Sequence, residues 1–197
     1  MSFDERAKTW DSSDRRQALA EAVANAIKSS VTLNSSMHLL DIGAGTGLLT
    51  RRVLPYVDKI TALDTSAGML EELEKKVEGN VEICQTDIIK YEPSEKFDGI
   101  ISSMTLHHIE DTEGLFKHLY KLLKPGGFIA LADLAPEDGT FHSNGNEGVF
   151  HFGFDEESLK NYANIAGFKN FSYKIVHKVE KPNKIYEIFL FSSIKYK

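Results

Sequence analysis

The chain has 197 residues, 42% of them hydrophobic, a formal net charge of −6 at pH 7 and one cysteine. That length and apolar content suit a single globular domain with a substantial core. The acidic balance argues against tight binding to nucleic acid, which usually takes a basic face that neutralises phosphates, and a lone Cys84 excludes an intramolecular disulfide or a cysteine-rich metal site and fits a reducing compartment.

The start, MSFDERAKTWDSSDRR, lacks the apolar core of a signal peptide. No apolar run approaches the roughly 20 residues that a membrane helix requires. A soluble, cytoplasmic protein without membrane association is the expectation. Phe3 and Trp10 precede a helix predicted over SDRRQALAEAVANAIKSS, with Ser13 or Asp14 as its cap.

From residue 36 to 132, short apolar runs alternate with helix-period segments. HLLDI reads as a strand and GLLTRRVLPYV as a helix. KITALD is a second strand, followed by a helix over AGMLEELEKKVEG with Leu70, Leu73 and Val77 along one side. Its Glu71–Lys75 and Glu72–Lys76 pairs have the favourable i,i+4 order. NVEICQTD and FDGIISSM are the third and fourth strands. TEGLFKHLYKLLKPGG reads as a helix stopping before Pro125, and GFIALAD as the fifth strand. Repeated βα units imply a mostly parallel sheet covered on both faces.

Residues 134–154 form a long connection without a clear period, the length at which loops in compact domains are commonly functional. A helix over DEESLKNYANIAG then leads into two strand-like runs joined around Lys181, Pro182 and Asn183, an antiparallel hairpin. The basic residues of this tail, Lys174, Lys178, Lys181, Lys184, Lys195 and Lys197, alternate with apolar ones and read as a solvated strand face.

Three positions carry chemistry. Gly43, Gly45 and Gly47 sit where the first strand turns, allowing a tight bend and close ligand approach. Their spacing is G-x-G-x-G, and Leu48 stands where a nicotinamide fingerprint requires the third glycine. Asp64 ends the second strand, where an acid can accept hydrogen bonds from ribose hydroxyls or cap the next helix. Asp87 follows the third strand, where it can accept from an adenine amino group or serve as a turn residue.

With LLDIGAGTG, ITALDTSAGML, CQTDI, FDGIISSMTLHHIED and LLKPGGFIALAD in this order, the chain resembles the class I S-adenosylmethionine-dependent methyltransferases of small-molecule type, over nearly its whole length. The resemblance implies one α/β, Rossmann-like domain over residues 1–197. Its sheet would have seven mostly parallel strands in the order 3-2-1-4-5-7-6, the last strand antiparallel, with helices on both faces. S-adenosylmethionine would be the cofactor and S-adenosylhomocysteine its product. Asp41, Gly43, Ala44 and Gly45 would line the methionine side, Asp64 would bind the ribose, Thr65 and Met69 would flank the adenine, and Asp87 and Ile88 would read its edge. Ser103 and Met104 would close the pocket, and residues 1–30 would supply a lid and helix.

Methyl transfer from a sulfonium is largely a matter of holding donor and acceptor in line. His107 and His142 are the candidate catalytic residues, His107 more for positioning or packing than for base chemistry. His151, Asp133 and the aromatic run Phe150, Phe152 and Phe154 are further candidates on the acceptor side. His142, His151 and Asp133 have irregular spacing for a metal site, and no metal is expected. SSMTLHHI lacks the Asn/Asp-Pro-Pro-aromatic motif of enzymes that methylate amino groups of bases, and Cys84 lies inside a strand, badly placed as a nucleophile. The expected partner is therefore a small-molecule acceptor. Three other readings stay open: a non-catalytic S-adenosylmethionine-binding regulator, an NAD-dependent reductase using Tyr120 and Lys124, and an aminopropyl transferase using Asp133, Glu137 and Asp138.

Overall fold

Short apolar runs of two-sided hydrophobicity form the middle of a seven-stranded sheet in the computed structural model, which describes residues 2–143, 145–182 and 184–196. The strands are β1 (His38–Ile42), β2 (Lys59–Asp64), β3 (Val81–Gln85), β4 (Phe97–Ser103), β5 (Leu123–Leu134), β6 (Lys169–Lys181) and β7 (Lys184–Ile194). Their order is β3-β2-β1-β4-β5-β7-β6. The first five run parallel, and β7 pairs antiparallel with both β5 and β6. This is the architecture the resemblance implies. Lys181 pairs with Lys184, closing the expected hairpin; Asn183, named in that turn, and Lys197 lie outside the described residues.

The helices are α1 (Phe3–Trp10), α2 (Asp14–Ser30), α3 (Thr50–Val53), α4 (Ala67–Lys76), α5 (Thr112–Leu122) and α6 (Glu156–Ala166). Alternation along the central strands divides their side chains between two cores. Leu39, Ile60, Ile101 and Ala130 pack with Val23 and Ile27 of α2 and Val53 of α3. Leu40, Leu63, Ile100 and Ile129 pack with Phe116 and Leu119 of α5 and Leu159 of α6. Burying each such Leu, Ile or Phe side chain stabilises by about 1.5–3 kcal/mol, so both faces hold the sheet rigid beneath the loops at its strand ends.

Four local expectations are corrected. The helix predicted over GLLTRRVLPYV shrinks to α3 and a single 3₁₀ turn, Leu54–Tyr56, because three glycines spend residues 43–49 in turns and Pro55 lacks the amide to continue. The segment before α2 is itself a helix, closed at its start by a reciprocal capping box between Ser2 and Glu5. Strand β5 begins at Leu123, earlier than GFIALAD, and carries Pro125 where the pairing with β4 is irregular between Phe97 and Gly99. On α4, Lys75 bonds Glu72 rather than Glu71, while the Glu72–Lys76 pair forms as expected.

Candidate functional site

In open parallel sheets, ligands bind beyond the carboxyl ends of the strands, where the strand order reverses. Here β1 lies between β2 and β4, and the chain leaves it through the glycine turn. Gly43, Gly45 and Gly47 all have positive φ (65°, 56° and 81°). A side chain at Gly43 would strike Thr105 and one at Gly47 would strike Leu73, but at Gly45 it would meet nothing within 4 Å. Gly43 and Gly47 are thus explained by packing. Gly45 presents bare backbone to open space.

That backbone is tied to Asp64. One carboxylate oxygen accepts the Gly45 amide at 2.8 Å and the other accepts the Ser66 amide at 2.9 Å. Each oxygen keeps a further lone-pair position for a hydroxyl donor. Burial raises the Asp64 pKa against the pull of the Ser66, Gly45 and Thr65 amides. Asp41 is 1% exposed, and its carboxylate accepts the Thr50 hydroxyl at 2.5 Å. Burial, aided by repulsion from Asp64, pushes its pKa up to about 7. Asp41 therefore supports the turn from beneath rather than presenting a charge to solvent.

The other predicted positions lie at or just past the carboxyl ends of β2, β3 and β4. Ser66 caps α4 through the Met69 amide, and Met69 is buried. Asp87 caps a 3₁₀ turn by accepting the Ile89 amide with Oδ1, which leaves Oδ2 available, and Ile88 beside it is buried. The Asp87 carboxylate is thus a turn residue with spare acceptor capacity. Met104 follows Ser103 at the end of β4 with φ 60°, a strained value for a non-glycine residue, held by the hydrogen bond its N–H donates to the Ala132 carbonyl at 2.9 Å.

Helix α1 lies over this region. The Asp4 carboxylate accepts the Ser66 hydroxyl and the Gly68 amide, and the Phe3 ring meets the edge of His108 at 5.7 Å. Beyond the helix, Asp11 bonds Thr46, Arg51 at 2.9 Å and Lys76 at 3.1 Å. Sequence reasoning missed Asp4 and Asp11, since an acidic residue near a chain start has no signal of its own.

The histidines sort into two groups. His151 Nε2 lies within 3.1 Å of the Thr112 hydroxyl and of the Ile109 and Glu110 carbonyls, so it fastens the 134–154 connection to the start of α5. It is not gathered with Asp133 or His142. His107 Nδ1 lies 2.7 Å from Asp133 Oδ1, and Asp133 also accepts the His107 and Leu134 amides. His142 stacks beside His107 with ring centroids 5.0 Å apart, and His108 beside His107 at 4.1 Å. Burial first, then neighbouring His107, lowers the His142 pKa to about 4 and that of His108 below its ordinary value. At that value the His142 imidazole is neutral at pH 7. Of the aromatic run, Phe154 is a buried anchor, whereas Phe150 and Phe152 are exposed.

Tyr120 and Lys124 belong elsewhere. Tyr120 packs edge-on against Phe168 at 5.1 Å, and Lys124 pairs with Asp98 at 2.9 Å. Neither approaches the glycine turn, which removes the reductase arrangement.

Residues 40–131 match the model of a methyltransferase domain, spanning the glycine turn, Asp64, Asp87 and the end of β4. The chain belongs to the class I S-adenosylmethionine-dependent methyltransferases. It is 34% identical over 143 residues to a malonyl-[acyl-carrier protein] O-methyltransferase of Priestia megaterium, covering 71% of this chain and 51% of that one. The chain spans about half the length of the curated relatives it matches. In fold it is similar to the putative methyltransferase bound to the Haloferax volcanii Trm112 activator, with a TM-score of 0.79 and 14% identity over 100% of this chain and 98% of that one. It is similar also to Haemonchus contortus phosphoethanolamine N-methyltransferase 2, solved with S-adenosyl-L-methionine, with a TM-score of 0.72 and 19% identity over 100% of this chain and 60% of that one. Among the described residues, no helix is long and apolar enough to cross a membrane.

Proposed function

We propose that this chain binds S-adenosylmethionine and transfers its methyl group to a small-molecule acceptor. The observation that carries this reading is the pairing of Gly45 with Asp64: bare backbone facing open space, beside a carboxylate fixed by two amides with lone pairs to spare. Such a pair suits a ligand with a ribose and no phosphate to anchor. When bound, the cofactor supplies an electrophilic methyl on a sulfonium.

Within this reading, Gly43, Ala44 and Gly45 hold the methionine end, and Asp41 supports them from below through Thr50. Asp64 orients the ribose. Thr65 and Met69 flank the adenine, Asp87 accepts from its amino group beside the apolar Ile88, and Ser103 and Met104 close the pocket. Helix α1, held down through Asp4 and Asp11, is the lid that keeps water from the reacting centre. The 134–154 connection covers the acceptor side, with Phe150 and Phe152 exposed to meet an acceptor. The His107 Nε2 and His142 Nδ1 atoms are enclosed, so positioning rather than proton abstraction is the role proposed for both residues. A base is needed only when the acceptor must lose a proton.

The Priestia relative acts on malonyl-[acyl-carrier protein], which makes carboxylic acids and their thioesters the first acceptors to try. The test is label transfer from methyl-labelled S-adenosylmethionine to a panel of small carboxylates, phenols and amines, with malonyl-acyl carrier protein included. Label in a small acceptor, lost in Asp64→Ala, supports the reading. Tight cofactor binding with no transfer to any acceptor would favour a regulatory S-adenosylmethionine-binding domain instead.

A further inference from the structure

The cluster of His107, His108 and His142 has a hydrogen-bond pattern that the methyl-transfer reading leaves unexplained. An ionised Asp133 carboxylate can only accept, so His107 Nδ1 is the donor of that bond, and in a neutral ring Nε2 is the atom left with a lone pair. The Gly148 carbonyl likewise can only accept, so His108 Nδ1, 2.7 Å away, carries its proton and leaves its Nε2 as a lone pair. Among the described residues, His107 Nε2 and His142 Nδ1 are both enclosed with no hydrogen-bond partner. The residue His107 is 1% exposed. An enclosed polar atom without a hydrogen-bond partner costs about 1–3 kcal/mol, and here two such atoms lie in one cluster.

One ring nitrogen from each of the three histidines falls within 4.8 Å of the other two. Tetrahedral imidazole coordination at 2.0–2.1 Å would set them about 3.3 Å apart. His107 and His108 follow the end of β4 and are fixed by Asp133 and Gly148. His142 sits on the 134–154 connection, and closing the set from within 4.8 Å to about 3.3 Å requires the rings to shift toward one another by about 1.5 Å.

We infer that His107, His108 and His142 bind a divalent first-row transition metal of the imidazole-preferring kind, Zn²⁺, Co²⁺, Ni²⁺ or Fe²⁺. Three features point to it. Three imidazoles converge, and no acid is among the converging groups to draw Mg²⁺ or Ca²⁺ instead. The Asp133 and Gly148 contacts supply the outer-shell acceptors that metal-bound imidazoles require, fixing the tautomer that offers Nε2. A bound metal would give the enclosed ring nitrogens the partner they lack among the described residues. Three protein ligands also leave a coordination position open, as in sites where a metal meets a substrate oxygen. The inference stands on the cluster alone and survives if no methyl transfer is found.

The test uses the tag-free 197-residue chain, dialysed against chelator and titrated with Co²⁺ followed by visible absorption, and with Zn²⁺ by calorimetry. One equivalent should bind, with the d–d bands of low-coordinate cobalt. His142→Ala and His108→Ala should each weaken affinity at least ~10-fold. His177→Ala, on the edge strand β6, should leave it unchanged. Because His107 is in the core, the His142 and His108 variants decide the outcome, each checked for native circular dichroism. Absence of stoichiometric binding would overturn the inference. So would affinity indifferent to both substitutions, or lost equally in His177→Ala. Binding of S-adenosylmethionine, measured on the same metal-free samples, tests the methyl-transfer reading separately.

Discussion

Replacing Asp41 with asparagine isolates the electrostatics beneath the glycine turn. In the native chain Asp41 is 1% exposed and burial pushes its pKa from 3.8 up to about 7. Between those values the folded state holds a proton that the unfolded state has released. The stability linked to this proton is therefore fully present below about pH 4 and is lost as pH rises through 7. The interval corresponds to roughly 4 kcal/mol at about 1.4 kcal/mol per pH unit. His142 works in the opposite sense, because its lowered pKa makes stability rise with pH from about 4 toward the ordinary histidine value. The wild-type profile is thus a partial cancellation, and only the difference between Asp41→Asn and wild type reports Asp41. The two side chains have nearly the same shape, and the amide carbonyl of the variant can still accept the Thr50 hydroxyl. Urea denaturation at intervals from pH 4.5 to 8.5 should show the two proteins within about 1 kcal/mol at the acid end, since a retained hydrogen bond of this kind is worth about that much. At the alkaline end the variant should be more stable, by a margin growing toward the figure above. A constant offset across the range would refute the assignment of a proton to Asp41. A variant less stable at pH 8.5 would mean that the carboxylate is solvated or paired.

Asp64→Ala should weaken S-adenosylmethionine binding about 100-fold, the scale of losing hydrogen bonds to a charged acceptor, with native circular dichroism; unchanged affinity would break the ribose assignment. Gly68→Ala places a Cβ 3.0 Å from the Asp4 backbone, so α1 should lift, protease cleavage within residues 2–12 should accelerate, and cofactor release should quicken. Equal cleavage rates would deny that α1 is latched at Gly68. Phe154→Ala removes a core anchor and should cost about 3–5 kcal/mol, whereas Phe150→Ala, at an exposed site, should stay within about 0.5 kcal/mol by thermal denaturation.

What the sequence made legible was what is local or periodic. The sheet could be read because each parallel strand is an apolar run bounded by a turn, and the G-x-G-x-G spacing with Asp64 marked one end of it. Element boundaries near Pro55 and Pro125 were less legible, because the proline that ends a helix can also be carried at a strand irregularity. The pairing of His142 with His107 and His108 joins a structured turn to a loop with no period, and nothing in either stretch announces the other. Asp4 and Asp11 were hidden for the same reason: their partners Gly68, Arg51 and Lys76 are distant in sequence and adjacent only once α1 has folded back. The burial of Asp41 under Thr50 depends on α3 being a single turn, which the pattern GLLTRRVLPYV did not disclose.

The central claim is that the Gly45–Asp64 pair receives S-adenosylmethionine. Its most direct measurement is calorimetric titration of the purified chain with S-adenosylmethionine, S-adenosylhomocysteine and NADH in parallel. Micromolar binding of the first two at one site per chain, with no heat from NADH, is the expected result. Binding of NADH alone, or affinity for the first two that persists undiminished in Asp64→Ala, would contradict it.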